Sequence, residues 1–123
     1  MYTVKELNVN IKLMHEKAKM PEYQSEGAAG MDLVAAEFKL RKERTGPVFE
    51  YDTHVAVEIP EGYVGLVFPR SSITTKTTLN LGNSVGVIDS DYRGTIKFQF
   101  RRTNDMFNQM YEAVDRDWET RPT

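Results

Sequence analysis

Arg70, Ser71 and Ser72 follow Pro69 and together have side chains whose types could bind an anion. A guanidinium offers a planar fork of donors, serine hydroxyls add further donors, and backbone N–H groups at a helix start favour negative charge. Together these groups could hold phosphate oxygens. The alternative is structural: a serine caps a helical turn, and Arg70 pairs with a surface acid.

Asp89 ends a short apolar run at residues 85–88 and precedes a tight turn, which makes it the candidate general base. A carboxylate placed there could be partly desolvated and could take a proton from water. Asp91 and Gly94 have the spacing of the first and fourth residues of a type I turn, so Asp91 is assigned to closing that turn. Tyr92 on the turn either packs against the protein or provides a flat surface for a sugar or a base.

Asp32 follows Gly30 in a small-residue segment and could provide a hard oxygen ligand for Mg²⁺, directly or through water. The structural alternative is a turn or salt-bridge residue. His15 and His54 have no third ligand nearby in the sequence, so no zinc site is predicted for them.

Composition excludes several classes of protein. The chain has 123 residues, a formal net charge of −2 and no cysteine. Because the chain is nearly neutral, it has no overall positive electrostatic field that would attract nucleic acid or an anionic membrane. One domain is expected at this length. No apolar run approaches the roughly 20 residues of a membrane helix. No secretory signal is recognised at the N-terminus, so a cytoplasmic protein is expected.

The elements that must position these residues are predicted to be strands. Apolar residues alternate with polar ones at residues 9–13, 55–59 and 95–101, which is the strand period. In the last run, Ile96, Phe98 and Phe100 are expected on one face, and Lys97, Gln99 and Arg101 on the other. Short strands at this spacing indicate an all-β fold: a sandwich, a jelly roll or a small barrel.

Three further elements follow from local signals. The turn at residues 91–94 predicts a hairpin that pairs residues 85–88 with residues 96–100. Residues 71–76 are expected to form a short helix capped by a serine. Apolar residues at helical spacing predict a second helix near residues 104–118, in an acidic tail.

The segments AGMDL at 29–33, PRSS at 69–72 and GVIDSDYRG at 86–94 resemble, in order and spacing, the first three motifs of the trimeric dUTP diphosphatases, or dUTPases. The resemblance extends over residues 9–102. It implies a distorted jelly-roll β-barrel, a homotrimer with shared active sites at subunit contacts, and Mg²⁺-assisted hydrolysis of dUTP to dUMP and pyrophosphate. That reaction keeps uracil out of DNA and supplies dUMP. The domain expected is a barrel core at residues 1–103 followed by a divergent segment at 104–123.

The resemblance also implies a role for each motif residue. Asp89 would activate water for attack on the α-phosphorus, and Asp32 would hold a water of the Mg²⁺ shell. Arg70, Ser71 and Ser72 would bind the phosphates and stabilise the departing pyrophosphate.

The uracil and sugar contacts are implied in the same way. Residues 83–89 would form a hairpin whose backbone pairs with the uracil edge. Tyr92 would lie against the deoxyribose and exclude a 2′-hydroxyl. The residues expected to bind the base are Asn83, Gly86, Val87, Ile88 and Lys97.

The sequence departs from the family pattern after residue 103, because the fourth motif and the glycine-rich fifth motif have no counterpart before Thr123. Two alternatives therefore stand beside dUTP hydrolysis. One is a related dCTP deaminase, which shares the fold. The other is a non-catalytic dUTPase-like module that binds nucleotide or a protein partner.

Overall fold

The computed structural model of the chain describes residues 6–103, which form seven β-strands and one short helix. In chain order these are β1 (Asn10–Leu13), β2 (Glu37–Glu43), β3 (Gly46–Glu58), β4 (Gly65–Val67), α1 (Ser71–Lys76), β5 (Leu79–Leu81), β6 (Gly86–Ile88) and β7 (Thr95–Arg102). The predicted all-β class is confirmed. The helix predicted near residues 104–118 lies outside the described residues.

The long strand β3 organises the larger of two antiparallel sheets. Its first half pairs with β2 and its second half with β1, while β7 lies along its other edge and carries β5 in turn. The strands β4 and β6 form a separate two-stranded sheet. Among the described residues, these two sheets do not close into one continuous barrel, although the arrangement is consistent with a jelly roll.

The core lies where β3 and β7 meet. Ile96 and Phe100 of β7 are buried and Phe98 is half-buried, whereas Lys97 and Gln99 are exposed. The predicted alternation of β7 is therefore confirmed. The remaining buried apolar side chains come from both sheets and are Val48, Val55, Ala56, Leu81 and Ile88.

Thr53 is the one buried polar side chain among the described residues. Its hydroxyl donates to the Ile96 carbonyl at 2.8 Å and accepts the Val55 N–H at 3.1 Å. Thr53→Val keeps the shape but leaves both backbone groups without this partner. We expect the free energy of unfolding, measured in urea, to fall by about 1–3 kcal/mol. Thr74 is exposed, so Thr74→Val is the matched control and should change the free energy of unfolding by less than about 0.5 kcal/mol. Equal effects of the two substitutions would contradict the structural role of the Thr53 hydroxyl.

The predicted hairpin between residues 85–88 and 96–100 is wrong. β6 pairs with β4, and β7 pairs with β3 and β5. The intervening loop carries the chain from one sheet to the other, so strands adjacent in sequence do not become neighbours. The turn in that loop also lies two residues earlier than predicted, since the Tyr92 N–H bonds to the Asp89 carbonyl at 3.1 Å.

The short helix predicted at residues 71–76 is confirmed as α1, but the serine cap is wrong. Arg70 occupies the N-cap position in an extended conformation, and no side chain there accepts a hydrogen bond from the first turn. Both serines are instead inside the helix, where their hydroxyls are available for other contacts. No described helix is long and apolar enough to cross a membrane.

Candidate functional site

The predicted site residues divide between two cavities, each of about 600 Å³, that share Val67 and Phe98 in their walls. Asp32 and Arg70 line the second cavity. Ser71 and Ser72 line neither cavity, although they follow Arg70 directly at the start of α1. The other predicted residues all line the first cavity and are Asn83, Gly86, Val87, Ile88, Asp89, Tyr92 and Lys97.

One wall of the first cavity is the strand β6. Within residues 6–103, β4 alone pairs with β6, so the second edge of β6 has backbone N–H and C=O groups available to a ligand. Gly65 and Gly86 permit the close approach of these two strands. A Cβ at Gly86 would lie 3.2 Å from Val67 Cβ, and one at Gly65 would lie 3.1 Å from Ile88 Cβ. The arrangement provides a fixed hydrogen-bonding edge of the kind that recognises a planar ligand.

Asn83 lies in the tight loop that joins β5 to β6. Ser84 has a positive φ of 63°, its N–H donates to the Leu81 carbonyl at 3.1 Å, and the Val85 N–H donates to the Asn83 carbonyl at 2.7 Å. These bonds fix the backbone of the loop while the Asn83 side chain stays exposed. Its amide can therefore contact a ligand held against the β6 edge.

Asp89 directly follows β6, and its carbonyl accepts the turn hydrogen bond from Tyr92. The turn gives the residue a defined position at the cavity wall. Asp89 is exposed, however, so residues 6–103 do not provide the partial desolvation expected for it. A group bound in the cavity, or a second protein surface, would have to exclude water from it.

Tyr92 is held by a local hydrogen bond rather than by the core. Its hydroxyl donates to the Thr95 carbonyl at 2.7 Å, and the ring lies over Gly94. The residue is exposed. A fixed, accessible aromatic face at the cavity is the arrangement expected of a platform for a sugar or base.

In the second cavity, Arg70 forms an ion pair with Asp32, with 3.2 Å between Nη1 and Oδ2. The side chains are 67% and 25% exposed, respectively. The backbone of Asp32 is held by an antiparallel bridge to Glu22, whose carbonyl accepts the Asp32 N–H at 2.8 Å. The structure thus joins the predicted metal-binding acid to the predicted phosphate-binding arginine, and both keep access to solvent.

The separation of the predicted site residues into two cavities has a chemical consequence. Within residues 6–103, the candidate base Asp89 and the free edge of β6 line one cavity, whereas Arg70 and the candidate metal-binding residue Asp32 line the other. A reaction that needs both sets at one phosphate would require a ligand spanning the shared wall or a second copy of the chain.

Three polar residues that line the first cavity were assigned no role from the sequence: Thr95, Gln99 and Arg101. Gln99 and Arg101 stand on the Lys97 face of β7, so the period of two could have identified them once Lys97 was selected. Arg101 Nη2 donates a hydrogen bond to Thr45 Oγ1 at 2.8 Å, and the Gln99 side-chain amide donates one to the Glu50 carboxylate.

Comparison with known proteins gives a consistent result. Residues 16–110 match the family model of the dUTPases. The deoxyuridine 5′-triphosphate nucleotidohydrolase of Escherichia phage T5 is 52% identical over 94 residues, covering 72% of this chain and 62% of that protein. The protein of the same name from Rickettsia prowazekii is 40% identical over 86 residues, covering 70% of this chain and 58% of the Rickettsia protein. The chain spans about three fifths of the length of these curated relatives.

Solved structures agree. A dUTPase from phage phi11 of S. aureus, solved as a point mutant with a structural Mg(II) ion, matches with a TM-score of 0.67 and 35% identity over 78% of this chain and 60% of that one. A Staphylococcus bacteriophage 80alpha dUTPase, solved with dUpNHpp, matches with a TM-score of 0.64 and 36% identity over 76% of this chain and 53% of its own.

Proposed function

Because the chain belongs to the dUTPase family, we propose that it hydrolyses dUTP to dUMP and pyrophosphate, which keeps uracil out of DNA and supplies dUMP. The observation that carries the proposal is the first cavity. It combines a free strand edge, a fixed tyrosine and a carboxylate within one space of about 600 Å³. That set suits a pyrimidine, a deoxyribose and a reacting phosphate in sequence.

The β6 edge is proposed to select uracil by shape and pairing. Backbone groups of Gly86, Val87 and Ile88, with the Asn83 amide, would bond the polar edge of the base. A close backbone leaves no room for the 5-methyl group of thymine. Cytosine would present the wrong donors and acceptors, and each mispaired buried polar group costs about 1–3 kcal/mol. Lys97 lines the same cavity and would contact the base from β7.

Asp89 is proposed as the general base. Water bound beside its carboxylate would attack the α-phosphorus, the proton would pass to Asp89, and the bond to the β-phosphate oxygen would break, releasing pyrophosphate. The bond from the Tyr92 N–H to the Asp89 main-chain carbonyl supports this proposal, because it fixes the backbone from which the carboxylate would act.

The phosphate side would be formed by Arg70, Ser71, Ser72 and Asp32. The guanidinium and hydroxyls would neutralise and bond the triphosphate oxygens and the charge that develops on the leaving group. Asp32 fits a water-mediated Mg²⁺ ligand, since it offers hard carboxylate oxygens, is 25% exposed and borders a cavity. When bound, Mg²⁺ would neutralise part of the triphosphate charge.

A homotrimer with shared active sites is proposed because the two sets of residues lie in different cavities of one chain. Contact between copies would bring Asp89 of one subunit toward Asp32 and Arg70 of another. It would also cover Asp89, whose exposure in the single chain is unfavourable for a positioned base.

The sugar contact yields a prediction about selectivity. A Cβ at Gly94 would lie 2.6 Å from Tyr92 Oη and 2.8 Å from Cζ, so Gly94→Ala must displace the ring. We expect the ratio of kcat/KM for dUTP over UTP to fall by roughly 10-fold, because a displaced ring no longer excludes the 2′-hydroxyl. Gly27→Ala is the control, since nothing lies within 4 Å of its new Cβ. An unchanged ratio in Gly94→Ala would remove the sugar role of Tyr92.

The function itself is tested by pyrophosphate release from dUTP by the complete gene product, with and without Mg²⁺. Mg²⁺-dependent release supports the proposal. Tight dUTP binding without release would identify a non-catalytic module, and ammonia release from dCTP would identify a deaminase; either outcome overturns it.

A further inference from the structure

Three potential metal ligands outside both cavities meet where β2 begins and β3 changes register. Glu37, Asp52 and His54 each offer a ligand atom, and these atoms lie within 4.8 Å of one another. His54 Nε2 is 2.8 Å from Glu37 Oε2, and His54 Nδ1 is 3.6 Å from Asp52 Oδ2. We propose that these three residues form a binding site for a divalent transition-metal ion of the Zn²⁺ type.

The charge arrangement favours a cation at this point. Glu37 and Asp52 are direct cross-strand partners in the β2–β3 ladder, and like charges in that position destabilise a sheet. His54 Nε2 faces the Glu37 carboxylate and Nδ1 faces the Asp52 carboxylate, so a neutral imidazole can offer its one lone pair to an ion held by these acids. Lys97 is opposite Asp52 on the other side of β3, but no ion pair joins them within the described part of the chain.

The backbone places the ligands before any ion binds. The β3–β7 register shifts between Asp52 and Ala56, and His54 within this irregularity has a positive φ of 53°. The His54 N–H donates to Asp52 Oδ1 at 2.8 Å, which leaves Oδ2 toward the imidazole. This local bond preorganises two of the three ligands on one strand.

A second histidine fixes the imidazole plane. The His15 ring stacks on the His54 ring with centroids 4.8 Å apart and 25° between planes. His15 Nδ1 already accepts the Lys17 N–H at 3.0 Å, so we assign His15 a positioning role rather than a ligand role. The Met14 N–H donates to the His54 carbonyl at 2.8 Å, and this bond attaches the segment that follows β1 and carries His15 to β3.

The donor set indicates the class of ion. One imidazole nitrogen with two carboxylates suits Zn²⁺ and its neighbours, whereas Mg²⁺ prefers oxygen and water alone. Ligands of one ion must lie closer together than 4.8 Å, and the Glu37 side chain, which is 63% exposed, can rotate to close the gap. Because Glu37 is 63% exposed, water would supply the fourth ligand. Such an ion would stabilise the contact of β2, and of the segment that follows β1, with β3.

The test is calorimetric titration of the complete protein with ZnCl₂ in excess Mg²⁺, together with thermal unfolding with and without Zn²⁺. We expect one Zn²⁺ per chain and a higher Tm when it is present. His54→Asn removes the imidazole with a residue that tolerates a positive φ, and Glu37→Gln removes one exposed ligand. Each should weaken Zn²⁺ binding by at least about 10-fold and abolish the Tm increase.

Glu43→Gln is the matched control on the same strand. Glu43 hydrogen-bonds Arg41, which raises the pKa of that guanidinium above its ordinary value, and it lies outside the cluster. The Glu43→Gln variant should bind Zn²⁺ as tightly as the unaltered chain does. The proposal is wrong if no Zn²⁺ binds or if Glu37→Gln binds it as tightly as Glu43→Gln. Should His54→Asn fail to fold, the Glu37→Gln result decides alone. None of these readouts depends on dUTP hydrolysis.

Discussion

Asp89→Asn is expected to lower kcat for dUTP hydrolysis by roughly 10²–10⁴-fold while leaving the affinity for a non-hydrolysable dUTP analogue within a few fold. Asparagine has nearly the same shape as aspartate but cannot accept the proton of the attacking water. The residue follows β6 and its carbonyl anchors the Tyr92 turn, and the substitution leaves that backbone bond intact. Single-turnover kinetics and equilibrium binding would measure the two quantities separately.

Asp91→Asn is the matched control, because Asp91 is an exposed acid on the same turn and its loss changes the net charge equally. Its turnover should stay close to that of the unaltered protein. Unchanged turnover in Asp89→Asn would eliminate the general-base role. Equal losses in both variants would instead attribute the effect to local charge and also contradict the assignment.

Local patterns were sufficient to predict a strand where one face of it is buried. β7 follows the period of two because Ile96 and Phe100 pack into the core while Lys97 and Gln99 remain exposed. The position of α1 was also predicted locally, from the serines that follow Pro69 and Arg70. Its serine cap was wrong because the helix begins one residue earlier than a capping serine requires.

Strand partners could not be read from the sequence. β6 and β7 are consecutive, and a short turn-rich loop between them indicates a hairpin, yet each pairs with a strand further away. Pairing depends on which apolar faces meet in the core, and this is a property of the whole chain. The strand β2 was not predicted, although Phe38 and Leu40 alternate with charged residues in the strand period. In the structure both of these apolar side chains are exposed.

In the candidate site too, single residues could be predicted from nearby sequence, whereas contacts between distant residues could not. Each motif residue was identified from its own segment, but the Asp32–Arg70 ion pair joins residues far apart in the chain. The sequence predicts no zinc site at His54 because no third ligand is near it in sequence. The β2–β3 ladder brings Glu37 opposite Asp52 and so places a third potential ligand beside it.

Mixing two inactive variants is expected to restore activity if the site is shared between subunits. Asp89→Asn disables the first cavity, and the double change Asp32→Asn with Arg70→Gln replaces the ion pair of the second cavity by neutral amides. In a cyclic trimer assembled at random from equal amounts, about a quarter of the subunit contacts combine an intact Asp89 with an intact Asp32 and Arg70. The two variants refolded together should therefore recover about a quarter of the unaltered activity.

Each variant refolded with itself is the control and should stay inactive. The two variants mixed without unfolding should gain activity only as fast as their subunits exchange. If every site were built within one chain, no mixture could contain an intact site, and co-refolding would recover nothing. That outcome would reject the shared site and require the substrate to span the wall formed by Val67 and Phe98 within a single chain.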